Sequence, residues 1–136
     1  IMTDVDSLLS ELIEKIKADE FFADITVGKS YGAAVKPTCP ERATVICGFV
    51  GGSVQNKALE QDIKAGSITL FADIYVPWSM HGFDIAQAVS RICAAAYSDN
   101  VSAVKLNEAH SHTKAQCFVR RTEITYSDIF KFAGGD

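Results

Sequence analysis

The stretch Ile68–Tyr97, ITLFADIYVPWSMHGFDIAQAVSRICAAAY, changes period in its middle, and that change constrains the fold more than anything else in the chain. Ile68, Leu70, Ala72, Ile74 and Val76 alternate with Thr69, Phe71, Asp73 and Tyr75. This is the two-residue period of a strand with unlike faces. Pro77 cannot donate to a ladder and closes the strand, and Trp78–Gly82 supplies residues suited to a turn. Beyond it Phe83, Ala86, Val89, Ile92, Cys93, Ala96 and Tyr97 recur at spacings of three and four. That spacing predicts a helix folded back onto the sheet to which the strand belongs, with the packing between them supplying most of the core.

Other features predict how the rest of the chain is added. Thr3 is a candidate N-cap, with Asp6 three residues on, for a first helix whose apolar stripe is Val5, Leu8, Leu9, Leu12, Ile13 and Ile16. Such a stripe is core in most proteins and an oligomer-facing surface in the minority. Gly28-Lys29-Ser30-Tyr31-Gly32 reads as a glycine-containing loop. It is not a phosphate-binding GxxxxGKS loop, because position 23, where the first glycine belongs, is Ala. Pro37–Arg42 reads as a rigid extended connection. Ala43–Val50, apolar on both sides, reads as a central strand. Gly51–Gly66 then reads as an unusually long inter-strand segment with weak helical character, of the kind that is commonly functional or ordered by a partner.

Ser98-Asp99-Asn100 predicts a turn, Val101–Asn107 a third strand and Gln116–Tyr126 a fourth, the last two forming a hairpin with Phe118, Arg120, Thr122, Ile124 and Tyr126 on one face. The tail from 127 to 136 carries Ile129, Phe130 and Phe132 before two glycines, which predicts an edge that docks on something. The expected fold is therefore a single α+β domain over residues 2–136. It has a mostly antiparallel sheet of four to five strands with the two main helices packed on one face. Ile1, ahead of Met2, is left out of that domain.

Charge and cysteine content narrow the function. A net charge of −4 and a pI near 5.3 give no basic footprint for gripping a phosphate backbone, although an acidic surface suits DNA that must slide past. The four cysteines, at 39, 47, 93 and 117, form no CxxC pair. They read as free thiols, with a reducing compartment expected because no signal peptide is evident. No apolar run approaches the ~18 residues of a membrane span.

Two constellations could carry chemistry. His110 and His112 lie two apart and could share a metal on a strand, with Cys117 or His81 as a third ligand, but a pair of surface histidines in a turn is the commoner case and no metal site is expected. His81-Gly82 ahead of a helix, with Asp84 in its first turn, places an imidazole and a carboxylate at a positive helix end. The same residues also suit a plain corner, with Gly82 for backbone freedom and Asp84 favouring the dipole. The corner superficially resembles the His-Gly corner of hot-dog-fold thioesterases, which supplies an alternative reading as a thioesterase or small-ligand enzyme using His81 and Asp84. That fold, however, places its long helix early and follows it with more strands than the two predicted here. HExxH and GxGxxG are absent from the sequence, and no cofactor is implied.

The order of elements resembles the tail terminator or tail-completion proteins of long-tailed bacteriophages and related contractile particles. The likeness lies in Ile68–Tyr97, a strand ending in proline followed by Ser-x-x-Gly and an alanine-rich helix, with Thr44–Gly52 and the closing strand Phe118–Tyr126. The resemblance implies a non-enzymatic subunit that forms a homo-oligomeric six-fold ring on the last ring of the tail tube protein. The ring would meet the head-side connector or neck protein, with the sheath as a further candidate contact, and pass DNA through its lumen without binding it. The implied place is the virion, with assembly in the bacterial cytoplasm and no contact with a membrane. A head–tail connector or stopper is a near alternative. By position, the expected contact residues are Val54, Gln55, Asn56, Lys57 and Leu59 in the long segment and Ile129, Phe130 and Phe132 in the tail.

Overall fold

The structure, a computed structural model, describes residues 3–29, 42–54 and 63–131. In chain order the elements are β1 (Thr3–Asp4), α1 (Val5–Lys17), a 3-10 turn (Glu20–Phe22), β2 (Thr26–Lys29), β3 (Thr44–Val54), β4 (Ile63–Pro77), α2 (Ile85–Ala96), β5 (Val101–Leu106), β6 (His110–His112) and β7 (Cys117–Lys131). They form one α+β unit: a seven-stranded, mostly antiparallel sheet in the order β1-β7-β4-β3-β2, with β5 and β6 also paired to β7. The backbone of this sheet is β4 and β7, fifteen residues each, antiparallel from Ile63↔Lys131 to Pro77↔Cys117.

The alternation around Ile68 is realised. Ile68, Leu70, Ala72, Ile74 and Val76 are all buried on the face that receives α1 and α2, where they pack with Val45 and Cys47 from β3 and Ile124 and Tyr126 from β7. The stripe of α1 is used here: Leu8, Leu9, Leu12, Ile13 and Ile16 are buried in the same core. On α2 the buried face is Ala88, Val89, Ile92 and Ala96, whereas Ala86 and Tyr97 are exposed because the helix spans only Ile85–Ala96 and turns both away from the sheet.

Several expectations change. There are more strands than the four to five expected, because short segments complete the edges: β1 and β2 pair in parallel with β7 and β3, and β6 continues the row begun by β5. Thr3 is therefore a strand residue in register with Phe130, and Gly28 and Lys29 lie in β2. Most of the difference concerns Gly51–Gly66. β3 runs on through Val54 and β4 begins at Ile63, so Gly51–Val54 continues the antiparallel pairing against Gly66–Thr69, and Ile63–Ala65 are strand paired to β7. Glycines usually weaken a strand, but here close backbone approach selects them. A Cβ at Gly52 would lie 2.5 Å from the Ser67 carbonyl oxygen, and one at Gly66 only 2.2 Å from that of Ser53. β7 likewise runs five residues past the predicted end at Tyr126.

Candidate functional site

The corner after Pro77 is built as a helix start. The Met80 amide donates to the Pro77 carbonyl at 2.9 Å, Gly82 takes φ +81°, and the Asp84 carboxylate accepts the Gln87 amide at 2.9 Å as the N-cap of α2. A capping carboxylate satisfies one of the orphan donors of the first turn, which accounts for Asp84 without chemistry. His81 is exposed beside it. Clefts of about 270 Å³ at Val5–Phe49–Val54, 180 Å³ at Leu8–Glu11–Tyr126 and 270 Å³ at Ser10–Ile13–Lys29 all lie elsewhere.

His110 and His112 do fall on one strand, in register with Val119 and Cys117. The Nδ1 atom of His112 accepts the Ala115 amide at 3.2 Å, so that nitrogen is occupied in closing the turn. Among the described residues no group of three His, Cys, Asp or Glu side chains is placed to hold a metal ion. Cys47 and Cys93 are free thiols. Burial, reinforced by the nearby Asp73 charge, pushes the Cys47 thiol up to about 12, which leaves it un-ionised and inert at neutral pH.

The face of the sheet opposite the helices carries a polar ladder. Arg121 donates from Nε and Nη2 to the two Asp73 carboxylate oxygens at 2.8 and 2.9 Å, and its guanidinium lies 4.1 Å from the centre of the Phe71 ring. The hydrogen bond to Asp73 raises the Arg121 pKa, so the cation is permanent. Asp73 is only 4% exposed although none of the described helices lies on this face; the Arg121 guanidinium that binds it rests on the Phe71 ring. One row further, Thr69 and Thr125 hydrogen-bond through their hydroxyls at 2.8 Å.

Among the described residues the sheet is left open at its two ends. β2 pairs with β3 only as far as Lys29↔Cys47, so Gly48–Val54 has no strand on its outer side among the described residues. At the opposite end β5 pairs with β7 on one side, and five of its six residues are exposed. Each end carries large apolar side chains in water: Phe49 (48% exposed) and Val50 on β3, Val104 (42%) and Leu106 (53%) on β5. Val54, at the end of β3, is half-buried and lines the first cleft with Phe49, Ser53 and Ile68. Gln55, Asn56, Lys57, Leu59 and Phe132 lie outside the described residues. Ile129 is exposed on β7. Phe130, expected at an interface, is fully buried instead, since its side chain falls on the helix-facing side of a strand that continues past the predicted end.

Phe49, Val50, Val104 and Leu106 were not among the residues picked out by sequence. A signal was present for two of them. An apolar run bounded by polar turns reads as a strand from composition alone, but whether it lies in the centre or at the edge depends on what pairs with it.

No protein-family model matches the chain, and no curated protein matches it. No helix among the described residues is long and apolar enough to cross a membrane.

Proposed function

We propose that the chain is a structural subunit of a phage-like tail, assembling as a six-fold terminator ring. The ring caps the tail tube, joins it to the head-side connector and lets DNA through its lumen without specific contact. A head-to-tail ring needs two different surfaces on each subunit, since neighbour meets neighbour through unlike patches. The observation that carries the reading is the pair of unlike open sheet ends, Phe49 with Val50 at one and Val104 with Leu106 at the other, on a chain whose helices are already used in its own core. The order of elements through Ile68–Tyr97 supports the choice of family, and the net charge of −4 suits a channel that passes DNA.

The test is native mass spectrometry and negative-stain microscopy of the full chain, alone and mixed with tail-tube polymer. Six-fold rings, free or seated on tube ends, are expected. A subunit that stays monomeric and leaves tube length unchanged at all concentrations overturns the proposal.

A further inference from the structure

We infer that Gly48–Val54 of one copy pairs antiparallel with Val101–Leu106 of the next, so that a single sheet runs unbroken from subunit to subunit. This rests on the ring-subunit reading and names the contact that builds it.

Strand direction allows the joint. β3, β4, β7 and β5 are antiparallel in turn, so β5 runs opposite to β3, and a neighbour's β5 placed beside β3 continues the same alternation. Register sets its level. Gly48↔Phe71↔Glu123↔Lys105, Phe49↔Leu70↔Ile124↔Val104 and Gly51↔Thr69↔Thr125↔Ala103 are rows that cross the sheet from one open end to the other. The two free edges therefore lie at the same height. Copies joined edge to edge are related without a slide along the strands, as a closed ring requires and a rising filament does not.

Both strands bulge near the middle of the joint, one row apart: β3 between the rows of Leu70 and Thr69, and β5 between the rows of Thr69 and Ile68. A bulge and a lysine on an edge discourage indiscriminate pairing, which restricts the partners that each edge accepts. The exposed Phe49 and Val104 share a row on the helix side of the sheet, and pairing brings the Val104 of one copy next to the Phe49 of another. Gly51 has nothing within 4 Å of a Cβ added to it, unlike Gly52 and Gly66, so the chain's own packing does not demand glycine there; a close neighbour would.

Oxidation of the double variant Gly51→Cys, Ala103→Cys in ring preparations, free or on tube ends, tests the register. Within one chain these positions are three strand spacings apart, ~14 Å, beyond the reach of a disulfide. A ladder of covalent multimers ending at the ring size is expected, with neither single variant giving it. Rings that form but yield no ladder, or single variants that cross-link to themselves, overturn the pairing and leave the ring reading intact; a chain that forms no ring under any condition removes both. A second test uses Phe49→Lys and Val104→Lys, both at exposed positions, with folding checked by circular dichroism. Each variant alone is expected to be monomeric, and an equal mixture to stop at twice the subunit mass, because one good edge remains on each. A ring from either variant alone, or no dimer from the mixture, overturns the inference.

Discussion

The two faces of β4 exclude water by different means. On the helix side, five alternating apolar residues are covered by α1 and α2, and the stabilisation comes from apolar area and close packing. On the other side Phe71 and Asp73 are as well buried, yet what covers them is a side-chain lattice: the Asp73–Arg121 bidentate pair, the guanidinium over Phe71 and the neighbouring threonine pair. The first arrangement tolerates changes of shape among apolar residues. The second depends on each partner being present, since a buried charge that loses its partner has no water to replace it. Phe71 and Asp73 finished in this way need no second layer over them.

The largest effect expected from breaking this contrast is on the covered face. Leu70→Ala, at a fully buried position, is expected to cost about 3–5 kcal/mol in urea unfolding, and a loss below about 1 kcal/mol would mean that the helices do not pack where described. On the ladder face, Arg121→Ala strands a 4% exposed carboxylate; because the arginine is itself 40% exposed, the expected loss is smaller, about 2–3 kcal/mol. The double change Asp73→Leu, Arg121→Met should recover most of that loss. If it does not, the pair contributes more than mutual compensation.

Smaller changes sharpen the picture of the covered face. Asp84→Ala removes the cap that starts α2 and is expected to cost about 1 kcal/mol, whereas His81→Ala should stay within about 0.5 kcal/mol. A much larger effect at His81 would give the imidazole a role that the corner does not show. Thr122 is buried on the same face with its hydroxyl unpartnered among the described residues, so Thr122→Val should stabilise by about 1 kcal/mol; destabilisation would reveal a partner for that oxygen.

The last effect is absent at neutral pH and appears only in alkali. Burial raises Tyr126 to about 12 from 10.0 and Cys47 to about 12 from 9.0. Between those limits the unfolded chain has lost protons that the folded chain retains, so the contribution of these two groups is fully present below about pH 9 and is lost as pH rises towards 12. Denaturation curves at pH 8, 9.5 and 11 should show the fall, and Tyr126→Phe should flatten its upper part; an unchanged slope would place the titration elsewhere.

Much of the covered face was legible without coordinates. The period around Ile68, the stop at Pro77, the α1 stripe and Asp84 at the start of α2 all follow from local chemistry that neighbours did not override. What misled was glycine. Gly51 and Gly52 read as the end of a strand, yet they continue it, because the close passage of the β4 backbone past Gly52 is a fact about pairing. The tail was misread for a related reason. Phe130 looked exposed when judged from the end of a predicted strand, and becomes core once β4 keeps β7 extended as far as Lys131. Of the contact residues expected from sequence, Val54 lies on the open stretch of β3 and Ile129 is exposed on β7, away from both open strands, whereas Phe49, Val50, Val104 and Leu106 were not singled out.

By itself the sequence determined which segments are strand or helix, which side of each turns inward and where α2 starts, since periodicity, proline and capping act over a few neighbouring residues. Only the tertiary structure decided which strands end the sheet and at what height each free edge lies. Those properties come from pairings between residues far apart in the chain, such as Ile63 with Lys131 and Thr3 with Phe130, and no local pattern records them.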